Sequence, residues 1–151
     1  MVFRTRIRTG FHAGLLAAAA TGGALLAFGM GLSRPWLPFN LAAHVVLGGR
    51  ASLVTGVHPL VTPVGVLVHV AAIMIWGILF AGLVGWRGWR VTASAAAIFG
   101  ATVFLLNTRL FPVALRPGYE SVLSGTQMLF LHVTLVVMLV IGTRIAFLEV
   151  E

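Results

Sequence analysis

The sequence predicts an all-α fold: a four-helix transmembrane bundle with a short re-entrant or interfacial helix between the first and second spans. Three observations predict it. Four apolar runs of about 22 to 24 residues are each long enough to cross the hydrocarbon core. The 151-residue chain is 60% hydrophobic and only 9% charged, with a mean hydropathy of +1.07, whereas soluble domains are about one quarter charged. The arginines gather at the ends of the apolar runs, where they meet lipid headgroups. One transmembrane domain covering residues 1–151 is the expected organisation.

The first span runs over about 11–32, after Arg4, Arg6 and Arg8. A signal peptide has the same charge order, but its apolar region is only about 7–15 residues long and ends at a small-residue cleavage site. Gly29-Met30-Gly31-Leu32-Ser33 makes a poor site, so the segment is read as a helix. Gly14, Ala18 and Gly22 form one stripe of small residues, and Ala19, Gly23, Ala27 and Gly31 a second. Such stripes let helix backbones approach closely in lipid. The second span, about 63–86, starts with Pro63 in its first turn and carries the stripe Gly77, Ala81, Gly85. Arg87-Gly88-Trp89-Arg90 then makes a tight connector beside Trp86. The third span, about 91–113, repeats Ala93, Ala97 and Ala101 and meets Pro112 near its end. Arg116-Pro117-Gly118-Tyr119-Glu120 reads as a turn. The fourth span, about 124–147, is rich in Leu, Val and Met, which fill the gaps left by small-residue neighbours.

Four spans put both termini on one side. That side holds Arg4, Arg6, Arg8, Arg87, Arg90 and Arg144; the other holds Arg34, Arg50, Arg116 and, near its edge, Arg109. The positive-inside rule therefore places the termini in the cytoplasm of a multi-pass protein of the cell inner membrane.

Residues 33–62 form the outer connection. It is apolar, but Pro, Gly, Arg and His interrupt it too often for a span. Pro38 suits the first turn of a short helix that stops at Gly48-Gly49. Asn40 and His44, four apart, share one face of it.

The polar residues of the spans fall in one layer. At about 1.5 Å per residue, His69 and His132 lie about 9 and 12 Å below the outer ends of their helices, and Arg109 about 6 Å. Asn107 is slightly deeper, and His44, His58 and Glu120 belong to the outer connections. Ionisable groups inside a membrane are costly and face a cavity or a partner. Asn107 and Arg109 are two apart, about 200° around a helix, so only one of them faces such a site.

Two site chemistries are compatible with this layer. His69 and His132 on two bundle helices can supply the axial ligands of a haem b. Gly65, one turn from His69, would then leave room for a flat ring, and Arg109 and Arg116 would pair with propionates. A transition metal is the variant, with His44 or His58 joining His69 and His132 as an imidazole ligand. A quinone-like small-molecule pocket or a transporter is a further reading, since His and Asn bond quinone carbonyls. Each residue also has a plain structural role: intramembrane histidines bond helix carbonyls, arginines anchor to headgroups, and Asn40 with His44 satisfies loop backbone.

The run Pro38-x-Asn40-x-x-x-His44-x-x-x-Gly48, followed by Gly65-x-x-x-His69, resembles a group of small uncharacterised four-span bacterial integral membrane proteins. The likeness covers mainly residues 35–85 and implies no activity.

No phosphate loop, nucleophile elbow, His-Glu-x-x-His or paired carboxylates are present. The chain has no cysteine and three acids, of which Glu149 and Glu151 are C-terminal, so no intramembrane acid is available for a proton or cation relay. The net charge of +7, all from arginine, is explained by the membrane and calls for no nucleic acid. The leading reading is a scaffold or accessory subunit without catalysis of its own. Its partners would be the lipid bilayer and other membrane protein subunits, or itself, met through small-residue stripes beyond what internal packing needs.

Overall fold

The computed structural model describes residues 2–84 and 87–148, with side chains from 5 to 84 and from 87 to 146. Gly85, Trp86, Glu149, Glu151 and the anchoring side chain of Arg4 therefore lie outside the described residues.

The described chain is helical. Helix α1 spans Val2–Gly31, the short α2 Leu37–Leu47, α3 Val61–Val84, α4 Trp89–Leu105 and α5 Gly125–Leu148. Four of these, α1, α3, α4 and α5, are long and apolar enough to cross a membrane, and α2 lies between the first two. Many large apolar side chains, such as Leu67, Leu83, Ile98 and Phe130, point outward, as a lipid-solvated surface requires. The architecture is compatible with a multi-pass integral membrane protein.

Glycine decides how the helices sit. A Cβ on Gly14 would lie 2.7 Å from the Met74 Cα, and one on Gly77 would strike the Gly10 carbonyl and lie 2.7 Å from the Gly14 Cα. At Gly142 it would lie 2.6 Å from the Ala13 Cα. Helix α1 therefore packs backbone to backbone against α3 on one side and α5 on the other. Helix α4 leans on α5, where the Val136 side chain occupies the space a Cβ at Gly100 would need. Helices α3 and α4 barely touch, and α3 and α5 meet even less. The order around the bundle is α3, α1, α5, α4, with a lateral cleft between α3 and α4.

The stripes are used selectively. Gly14 and Ala18 are buried, whereas Ala19, Gly23, Ala27 and Gly31 are exposed, with nothing near Gly23 or Gly31. On α4 the expected stripe of Ala93, Ala97 and Ala101 is not the packed one. Thr92, Ala96 and Gly100, one position earlier, face the core, and Ala97 and Ala101 are exposed. A four-residue repeat in an Ala-rich helix fixes the spacing of a face but not which face is chosen.

The ends follow local chemistry. Gly48, with φ of 80°, stops α2, and Pro38 sits in its first turn. Before Pro112, α4 widens into a π turn over Leu106–Leu110, closed by the Phe111 N–H on the Leu106 carbonyl at 2.9 Å. Proline cannot continue a helical ladder, so the last turn ends there rather than kinking. Arg116 then donates to the Phe111 and Arg109 carbonyls at 2.8 and 2.9 Å, supplying partners for helix-end groups that have none. At the opposite end Arg144 donates to the Arg87 carbonyl and the Thr92 hydroxyl, each at 3.0 Å, and ties the Arg-Gly-Trp-Arg connector to α5.

Two apolar cores stack along the bundle. One, nearer the termini, centres on Phe80, Phe99, Val103 and Leu139. The other, under α2, centres on Leu25, Phe39, Tyr119 and Leu131. The cleft opens where they meet.

Candidate functional site

A cavity of about 310 Å³ lies in this cleft, at the lower end of the ~300–1,000 Å³ typical of small-molecule sites. Its walls come from α3 (His69, Ile73, Trp76), from the π turn (Asn107) and from α5 (Leu131, His132, Leu135). Ala42 and Val45 of α2 and the segment from Phe111 to Tyr119 roof it. The lining is mainly apolar, with Trp76 and Phe111 supplying flat aromatic surface.

His69 is buried and fully bonded. Its Nε2 lies 3.3 Å from the Ala18 carbonyl and 3.1 Å from the Thr21 hydroxyl. A carbonyl only accepts, so Nε2 carries the hydrogen. The Thr21 hydroxyl gives its own proton to the Ala17 carbonyl at 2.7 Å and so accepts from Nε2. That leaves Nδ1 as the acceptor, and Tyr119 Oη donates to it at 3.2 Å. The Phe39 ring meets the imidazole edge to face at 5.6 Å. His69 thus fastens α1, α2 and the 119 turn to α3. Tyr119 lies outside the spans, and burial pushes its phenol well above the usual range, so it stays a neutral donor.

His132 has the opposite tautomer. Its Nδ1 donates to the Met128 carbonyl one turn earlier at 2.8 Å. Nε2 therefore keeps its lone pair, and no protein group among the described residues bonds it. The residue is 7% exposed; its ring meets the Phe104 ring edge to face at 5.0 Å, and it lines the cavity. It also borders a shallow apolar groove between α4 and α5 lined by Ala97, Gly100 and Ala101. Asn107, one turn beyond the buried Val103, lines the cavity with no carboxamide partner among the described residues. Arg109, two residues on, is exposed.

The other sequence-selected residues have structural partners. Asn40 is 0% exposed; it donates to the Val54 and Gly56 carbonyls at 2.9 and 2.7 Å and accepts from the Thr62 hydroxyl at 2.8 Å. His58 Nδ1 takes the Leu60 and Val61 N–H groups at 3.2 Å each, while Thr62 accepts from the His58 N–H at 3.0 Å. This is a reciprocal cap on the start of α3. His44 Nδ1 donates to the Leu41 carbonyl at 2.6 Å, and its Nε2 faces the Val113 carbonyl at 3.3 Å.

These placements bear on the cofactor chemistries. Both nitrogens of His69 are engaged, so it offers no free lone pair to a haem or a metal. The space expected beside Gly65 is filled by the Phe39 backbone, whose carbonyl a Cβ there would strike. Arg116 places two of its donors on the end of α4. His44, His58, His69 and His132 do not converge, and among the described residues no three of His, Asp and Glu could hold a metal ion.

Two lining residues escape a reading by spacing. Tyr119, the single tyrosine of the chain, looks like turn filler, and Thr21 is one hydroxyl inside an Ala/Gly run. Their signal is rarity: each is an isolated polar group amid apolar neighbours.

Comparisons with known proteins do not extend this picture: no family model, curated protein or solved structure matches the chain. The fold and cavity by themselves define its class, a four-span helical bundle with a lateral pocket roofed by a short helix.

Proposed function

We propose that the protein is an integral membrane protein that binds a lipophilic small molecule with an oxygenated, quinone-like ring in the α3–α4–α5 cavity. One observation carries this reading: His132 and Asn107, which keep an uncommitted Nε2 and carboxamide, line an apolar, aromatic-walled cavity. A polar group that meets an apolar cavity or lipid without a partner is costly, and a ligand would supply one. A cleft between α3 and α4 lets such a molecule enter sideways from the bilayer. The test is purification in mild detergent, solvent extraction and mass spectrometry for a non-phospholipid ring compound. Ala72→Trp, which fills the cavity from α3, is expected to abolish its recovery. A ligand-free preparation that no added quinone or quinol stabilises would overturn the reading.

A second reading is a scaffold or accessory subunit. It is supported by the exposed stripe Ala19, Gly23, Ala27 and Gly31 on α1, which internal packing does not use and which suits a partner helix. Co-purification lost in Gly23→Leu would support it; a monodisperse monomer with no partner in mild detergent would count against it. For either role we place the termini in the cytoplasm of the inner membrane, as the arginine distribution favours.

A further inference from the structure

We propose that the cavity selects the reduced, hydroxyl-bearing hydroquinone form of its ligand over the oxidised quinone. This inference rests on the proposed ligand-binding role and adds to it the redox state that binds.

His132 Nε2 can only accept, because the ring hydrogen is committed to Met128 through Nδ1 at 2.8 Å. The Tyr119 hydroxyl has given its hydrogen to His69, so toward the cavity it too only accepts. Thr21 is in the same position, with its hydrogen on the Ala17 carbonyl. Asn107 and Trp76 offer donors, the carboxamide N–H groups and the indole N–H, and the carboxamide offers an acceptor as well. The polar lining of the cavity is therefore acceptor-rich.

A quinone has two carbonyl acceptors and no donor. Asn107 and the Trp76 indole N–H can each satisfy one carbonyl, but no quinone oxygen can serve His132 Nε2. Any quinone oxygen near His132 or Tyr119 would set lone pair against lone pair, and His132 Nε2 would stay unpaired in an apolar enclosure. A hydroquinone has two hydroxyl donors. One can go to His132 Nε2 and the other to Tyr119 Oη or Asn107 Oδ1, so the acceptors that lack partners gain them. Ring shape and apolar contact are nearly the same for the two forms, so the hydrogen-bond pattern decides between them.

The experiment compares three probes on the full-length protein in detergent under argon: decylubiquinone, the same compound reduced to decylubiquinol, and the dimethyl ether of the quinol. The ether keeps the reduced ring but cannot donate. Thermal unfolding titrated with each probe gives apparent affinities, because a ligand that binds the folded state raises the midpoint. The quinol is expected to bind at least about tenfold more tightly than both others. In His132→Gln, whose amide can turn a donor toward the ligand, the preference should fall below about threefold. If none of the three raises the midpoint, the ligand-binding role itself is wrong and this inference goes with it. If the quinone or the ether binds as tightly as the quinol, the pocket stands and the selection is wrong. A His132→Gln protein that folds yet keeps the full preference would also overturn it. Should that variant fail to fold, the wild-type comparison of quinol with ether decides.

Discussion

Asn40 shows how much one side chain can hold. Its carboxamide closes the loop carbonyls of Val54 and Gly56 and takes the Thr62 hydroxyl, all inside a buried site. Asn40→Ala should destabilise the protein by about 2–4 kcal/mol, since several buried groups lose partners together. Thr62→Val should cost less, about 1–3 kcal/mol, because two bonds are lost, to Asn40 Oδ1 and from the His58 N–H, while the volume is kept. Thermal or denaturant unfolding in detergent checks the order; equal effects would show that the loop is held by packing instead. At His69 the same logic applies through its partner. Tyr119→Phe removes the donor to Nδ1 and is expected to cost about 1–3 kcal/mol while leaving the cavity wall in place. A variant as stable as the parent would mean that Nδ1 finds another donor. Asn40 and His44 were legible as loop-binding residues because they share a face in an apolar helix. That His69 is committed and His132 is not could not be read, because both are intramembrane histidines in similar surroundings along the chain.

At the scale of the elements, the glycines of α1 divide into two kinds. Gly14 faces the α3 backbone, while Gly23 faces outward with open space around it. Gly14→Leu should push α1 off α3 and destabilise by about 3 kcal/mol or more, as overpacking without room to yield does. Gly23→Ala should be neutral or stabilising by up to about 1 kcal/mol, since alanine favours the helix. Paired unfolding measurements test this, and a destabilised Gly23→Ala monomer would mean that the helix faces are assigned wrongly. The sequence shows that α1 carries two small-residue stripes; the choice between them depends on where α3 and α5 lie. On α4 the packed face is one residue away from the expected stripe, because Ala93, Ala97 and Ala101 differ little from Thr92, Ala96 and Gly100 in size.

The whole molecule makes a topological prediction. Four spans place the α3–α4 connector with the termini and the 48–58 loop on the opposite face. In a chain that has no cysteine of its own, single cysteines at Gly88 and Gly56 should therefore label from opposite sides of intact cells, with Gly56 reached from outside. Labelling of both from one side would sink the four-span arrangement, and labelling of Gly88 alone from outside would invert it. The same arrangement sets where the cavity opens, in the α3–α4 cleft beside lipid.

The sequence by itself determined the solvent, the number of long helices, the short helix after the first, and the layer in which polar residues gather. These depend on hydropathy, run length and residue count, which are properties of the chain taken in order. Only the tertiary structure decided that α1 sits between α3 and α5, that α3 and α4 stand apart, and that His132, at the cavity wall, keeps a lone pair while His69 spends both nitrogens. Those outcomes depend on which glycine meets which backbone and which carbonyl lies within reach of a ring nitrogen. Both are distances between segments far apart in sequence, and neither composition nor spacing carries them.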